Sequence, residues 1–82
     1  MATSEAVPLA VPQMGLVEEV LLMQWLVEDG ATVAAGDEVV IVETHKVETA
    51  LVAPASGRIT IIVPPGDNEI PVGTVLAEIH PA

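Results

Sequence analysis

Val, Ile and Thr fill most of the apolar positions along the chain, and Gly or Pro interrupts them every ten residues or so: Pro12, Gly15, Gly30, Gly36, Pro54, Gly57, Pro64-Pro65-Gly66, Pro71 and Gly73. Short β-branched runs between turn residues predict an all-β sandwich or barrel. Strands are expected at about 7–11, 20–27, 38–43, 47–53, 57–63 and 75–79. Residues 16–27 leave an alternative open. Leu16, Glu18, Glu19, Leu21, Leu22 and Met23 are helix formers, and an apolar run on both faces does not distinguish a helix from a strand by its period.

An internal repeat favours the strand. With a shift of 36, Met23–Gly30 falls on Ile59–Gly66. After one inserted residue the shift becomes 37, and Gly36–Val42 falls on Gly73–Ile79. Each copy reads as a strand, an acidic or Pro-rich turn ending in Gly, a short link, a second Gly and a strand. Pro64 and Pro65 in the second copy exclude a continuous helix there, and the repeat extends that exclusion to 23–29. Two copies of one unit imply two similar sheets related by a pseudo-twofold axis. Neither can bury its apolar face alone, so they should close on each other. The segment Glu43–Thr49 then forms a turn at one tip, with the two chain ends at the other. Lys46, shifted by 36, lands on Ala10 or Ala82.

Composition narrows the function. Eighty-two residues make one domain, 1–82, with a small core spanning about 6–80. Twelve acids face two bases, Lys46 and Arg58, for a net charge of −10. Nucleic acid and anionic membrane surfaces are excluded as partners by that balance. A protein with a basic docking surface is favoured. The chain has no cysteine, hence no disulfide and no thiolate chemistry. His45 and His80 are isolated and give no metal site. Met1–Glu5 lacks the basic and apolar regions of a signal peptide, and no apolar run reaches the ~18 residues of a membrane span. A bacterial cytoplasm is the expected compartment, with a mature mitochondrial matrix domain as the alternative.

Lys46 is the only lysine. It stands at a tight turn between two apolar strands, in a chain that offers no catalytic residues of its own. A catalytic lysine needs a desolvated or cationic setting. Glu43 and Glu48 flank this one, a setting suited to modification by another enzyme. Trp25 is expected in the core or at its rim, and Gly30, Gly36, Gly57, Gly66 and Gly73 at turns needing positive φ.

The run from Glu43 to Gly57, Glu-Thr-His-Lys-Val-Glu-Thr-Ala-Leu-Val-Ala-Pro-Ala-Ser-Gly, resembles the lipoyl-lysine hairpin of lipoyl domains. Val11-Pro12-Gln13-Met14-Gly15 resembles the family's N-terminal segment, which leads into a Glu/Trp strand (Glu18, Glu19, Trp25). Val27–Asp37 resembles its acidic turn and Gly-Asp corner. The resemblance implies a flattened barrel of two four-stranded antiparallel sheets. It also implies lipoic acid amide-linked to Lys46 as a swinging arm, with Glu43, Thr44, His45 and Val47 shaping the turn that enzymes recognise. The implied partners are a lipoate ligase or lipoyl transferase, a thiamine-dependent 2-oxo acid decarboxylase, an acyltransferase core and a dihydrolipoamide dehydrogenase. The domain is then a carrier, monomeric when isolated, from the acyltransferase component. His45 departs from the family, which has Asp before the lysine. Biotin carriers share the fold but flank their lysine with Met, whereas His45 and Val47 flank Lys46. A biotin carrier and an unmodified docking module are the alternatives.

Overall fold

A strand that buries one face must alternate. The structure, a computed structural model, describes residues 5–13, 15–66 and 68–81. The N-terminal reading of Met1–Ser4, Met14 of the upstream motif and Ala82 in the shift of Lys46 lie outside them. Eight strands form: β1 (Val7–Ala10), β2 (Glu19–Trp25), β3 (Thr32–Val33), β4 (Glu38–Thr44), β5 (Val47–Val52), β6 (Gly57–Ile61), β7 (Glu69–Pro71) and β8 (Val75–His80). In β6, Gly57 and Ile59 are buried while Arg58 and Thr60 are exposed. β2 is a strand too, as the repeat required, and the helix alternative over 16–27 is set aside.

The strands make two four-stranded antiparallel sheets, ordered β1-β8-β6-β3 and β5-β4-β2-β7. Advancing each label of the first sheet by four, and wrapping β8 to β4, gives the second. The sandwich therefore carries the expected pseudo-twofold relation, and the hydrogen bonds repeat it. The Gly36 N–H donates to Ala53 O at 2.9 Å, and the Gly73 N–H to Val11 O at 2.9 Å. The Ala53 N–H donates to Asp37 O at 2.8 Å, and the Val11 N–H to Thr74 O at 3.0 Å. The Leu26 N–H donates to Val39 O at 2.8 Å, and the Ile62 N–H to Leu76 O at 2.9 Å.

Structure and sequence repeat differ at one place. A register shift between Leu22 and Gln24 places Met23 in a β-bulge. The Gly30 N–H bonds Ile59 O, and its mate, the Gly66 N–H, bonds Leu22 O. Ile59 therefore matches Leu22 rather than Met23. Both are fully buried, whereas Met23 is 41% exposed. The shift is 37 up to Leu22, 36 from Gln24 to Gly30 and 37 again by β3 and β7. An unbroken alignment hides the bulge because one extra exposed residue leaves the apolar pattern on either side intact.

Two further differences follow from length. β3 and β7 were not among the six strands read from the sequence, since two or three residues are too short to show alternation. Leu26, Val27, Ile62 and Val63 lie past the ends of β2 and β6, where the chain leaves one sheet to cross toward the other. Trp25 is half-buried at this crossing, and its indole Nε1–H donates to Val63 O at 2.9 Å. Gly66 does not adopt the positive φ expected of it, while Gly30, Gly36, Gly57 and Gly73 do. Gly57 needs its missing side chain for another reason: a Cβ there would run into the carbonyl of His80. The core is entirely aliphatic, from Leu9 and Val11 through Val39, Val40 and Val42 to Ile59, Leu76 and Ile79, with no buried polar side chain among the described residues.

Candidate functional site

β4 and β5 run side by side for six paired positions and close through His45 and Lys46. Thr44 pairs directly with Val47, so the loop contains two residues. Both have positive φ, 49° at His45 and 66° at Lys46. This is the pattern of a type I′ turn, whose twist matches that of the flanking strands and which usually holds Asn-Gly or Asp-Gly. His shares with Asn and Asp an enrichment in the left-handed region, so the turn accepts His45 where the family has Asp. Lys46 has no such preference. A left-handed L-residue costs about 1–2 kcal/mol, and the structure holds a lysine there in spite of it. Both side chains are exposed.

The turn stands far from Val7 and His80. At the opposite end of the hairpin, Val52 leads through Ala53–Ser56 into Gly57, which lies against His80 at the end of β8. Val7 pairs with Ile79 of the same strand. Residues 7 and 80 therefore gather past the Val52 end, and β5 alone separates that end from Lys46 by about 20 Å at ~3.3 Å per strand residue.

Register builds the surroundings of the turn. Glu48 faces Glu43, Glu43 faces Leu21, and Leu21 faces Glu69, one row across all four strands of the sheet. Directly opposed residues point to the same face. Three carboxylates therefore surround one leucine, one position below the turn. An open groove of about 410 Å³ runs beside it, lined by Leu16, Glu18, Glu19, Leu21, Glu43 and His45 among others. Leu16 is 98% exposed.

Glu43, Thr44, His45, Lys46 and Val47, the residues singled out from the sequence, thus form a single turn. Glu18 and Glu19 join it across the groove. Leu16, Leu21 and Glu69 were not anticipated. They arrive through strand pairing, and Glu69 falls in the link between the two aligned segments of the repeat. Trp25 and His80 lie elsewhere. Trp25 pairs with Val40, further down the hairpin, and His80 is at the opposite end.

A family model described as "Biotin-requiring enzyme", covering biotin and lipoyl attachment, matches residues 7–79. The dihydrolipoyllysine-residue acetyltransferase component of the pyruvate dehydrogenase complex of Corynebacterium glutamicum is 35% identical over 82 residues, 99% of this chain and 12% of that protein. The corresponding component of the acetoin cleaving system of Pseudomonas putida is 38% identical over 72 residues, 87% of this chain and 20% of that protein. The pyruvate dehydrogenase component of Mycobacterium bovis is 34% identical over 79 residues, 95% and 14% of the two chains. This chain thus spans a fifth or less of the length of these relatives. It belongs to the biotin- and lipoyl-attachment family, as a lipoyl-type carrier domain.

Proposed function

We propose that lipoate is amide-linked to Nζ of Lys46, and that the domain carries acyl groups and electrons between the components of a 2-oxo acid dehydrogenase complex in a bacterial cytoplasm. One observation carries the reading: the only lysine of the chain occupies the second position of an exposed two-residue turn, in a backbone conformation that lysine does not favour. The group fits this donor. A lone, accessible primary amine can form one amide, and the chain offers no competing lysine. Lipoate supplies a dithiolane that accepts and gives up an acyl group and two electrons.

The chain's own residues present and identify the amine. The β4–β5 ladder carries the turn at the tip. Glu43 and Glu48 flank it with negative charge, and Glu18, Glu19 and Glu69 extend that charge across the neighbouring strands. An acidic surface around the attachment point speeds encounter with basic partners. The partners are a lipoate ligase or lipoyl transferase, a thiamine-dependent decarboxylase, the acyltransferase core and dihydrolipoamide dehydrogenase. His45 in place of Asp removes one carboxylate beside Lys46 and sets which of these enzymes accept the turn.

The test is intact mass after incubation with a lipoate ligase, lipoate and ATP, beside a Lys46→Arg control. The parent should gain one lipoyl group and the control none. No gain in the parent, or gain in the control, would sink the assignment. Avidin binding after exposure to a biotin ligase would favour biotin instead.

A further inference from the structure

The two sheets are pseudo-symmetric, yet their outer edges differ in chemistry. β5 lies at the edge of one sheet and β1 at the edge of the other. Because Thr44 and Val47 flank a two-residue turn, they form a hydrogen-bonded pair. Val47, Thr49 and Leu51 therefore aim their backbone groups at β4, while Glu48 and Ala50 aim theirs at the open side. Among the described residues, no backbone hydrogen bond outside the β4 ladder reaches residues 47–52.

The matched bonds of Val11 and Ala53 align β1 with β5 at a shift of 42, so Ala50 corresponds to Pro8. Proline has no N–H to offer, and its presence blunts an edge against strand addition. β1 is therefore blunted at the position where β5 keeps a donor. β5 carries no Pro, and Glu48 is its one charged residue. Val47 at its start is 60% exposed.

We propose that β5 is a docking edge, on which an extended segment of the enzyme that modifies Lys46 adds as a further strand of the sheet. The inference rests on the carrier reading. β5 begins one residue after Lys46, so a strand seated on Glu48 and Ala50 fixes the register between that enzyme and Nζ. Main-chain bonds hold the strand in place, and a basic side chain opposite Glu48 would complement the row Glu48, Glu43 and Glu69.

Ala50→Pro tests this without touching the β4 ladder, and Pro8 is the precedent that the fold accepts proline at this position. Its kcat/KM for ligase-catalysed lipoylation should fall about tenfold or more, equivalent to ~1.4 kcal/mol, while its urea midpoint stays near the parent's. Amide exchange on the unmodified parent, with and without the ligase, gives a second readout. Glu48 and Ala50 should gain protection in the complex, and Thr49, already bonded to β4, should not. That exchange result decides the matter if Ala50→Pro fails to fold. Lipoylation at the parent rate, or no new protection at Glu48 and Ala50, overturns the docking edge and leaves the carrier reading standing. Failure of the parent itself to gain lipoate overturns both.

Discussion

The pseudo-twofold relation makes the two ends of the sandwich directly comparable. At the Lys46 end, one row reads Glu48, Glu43, Leu21 and Glu69. Its mates at the other end, at a shift of 37, are His80 for Glu43, Arg58 for Leu21 and Thr32 for Glu69. The backbones pair in the same way, and the side chains share almost nothing. One end collects carboxylates around a lysine turn, and the other carries the chain's only arginine and, in place of the lysine turn, the start of β1 and the end of β8. The duplicated architecture repeats the backbone, and the two copies of the row display different side chains. Core positions, in contrast, keep their chemistry across the axis: Leu22 with Ile59, Leu9 with Leu51, Val39 with Leu76.

The largest way to break the comparison is to remove what is unique to one end. Lys46→Arg keeps the charge and the turn but should abolish modification altogether, as the mass measurement above reads. Ala50→Pro, which gives β5 the proline already present in β1, comes next for function. For stability, the bulge supplies the sharpest contrast. Ile59→Ala empties a fully buried site and should cost about 2–5 kcal/mol, most of the stability of a small domain. Met23→Ala should stay within about 0.5 kcal/mol because its side chain is largely in solvent. Urea midpoints decide between the two alignments of the repeat. Equal losses would mean that Met23, not Leu22, is the true counterpart of Ile59.

That contrast also marks what the sequence could and could not tell. Pro64 and Pro65 were enough to exclude a helix from both copies, and Glu43–Thr49 was legible as a turn that carries the only lysine. Long β-branched strands announce themselves because each apolar residue repeats the same vote. Thr32–Val33 and Glu69–Pro71 are too short for any such vote, so β3 and β7 emerged only from pairing with β6 and β2. Leu21 and Glu69 entered the site for the same reason: register is a long-range property, and a single bulged residue at Met23 decides which side chains meet. The left-handed backbone at His45 and Lys46 was equally unreadable, because neither residue is the glycine that usually signals a type I′ turn.

His45 tests the turn by itself. Glycine occupies positive φ without the steric cost borne by other residues, though it loses more chain entropy on folding. His45→Gly should therefore stabilise the domain by about 0.5–1 kcal/mol, the strain relieved less the entropy lost. A rise in thermal midpoint would show it, and a fall would mean that the imidazole makes contacts worth more than the strain.

The smallest expected effect concerns the acidic row itself. Glu43 and Glu48 are directly opposed like charges, an arrangement that costs about 0.2–1 kcal/mol. Across the pseudo-axis their counterparts are His80 and Ala6, at shifts of 37 and 42, where no such repulsion exists. Glu48→Gln should make the two ends more alike and raise stability by that small amount. Because the pair is on the surface, the gain must shrink as the Debye length falls from about 10 Å at 0.1 M salt to about 3 Å at 1 M. Urea denaturation at the two salt concentrations separates charge from packing. A gain that persists unchanged in high salt would belong to the side-chain substitution and not to the repulsion. A loss at low salt would mean that Lys46 already balances both carboxylates. The acidic end would then be electrostatically settled before any partner arrives, and the contrast between the two ends would be one of recognition alone.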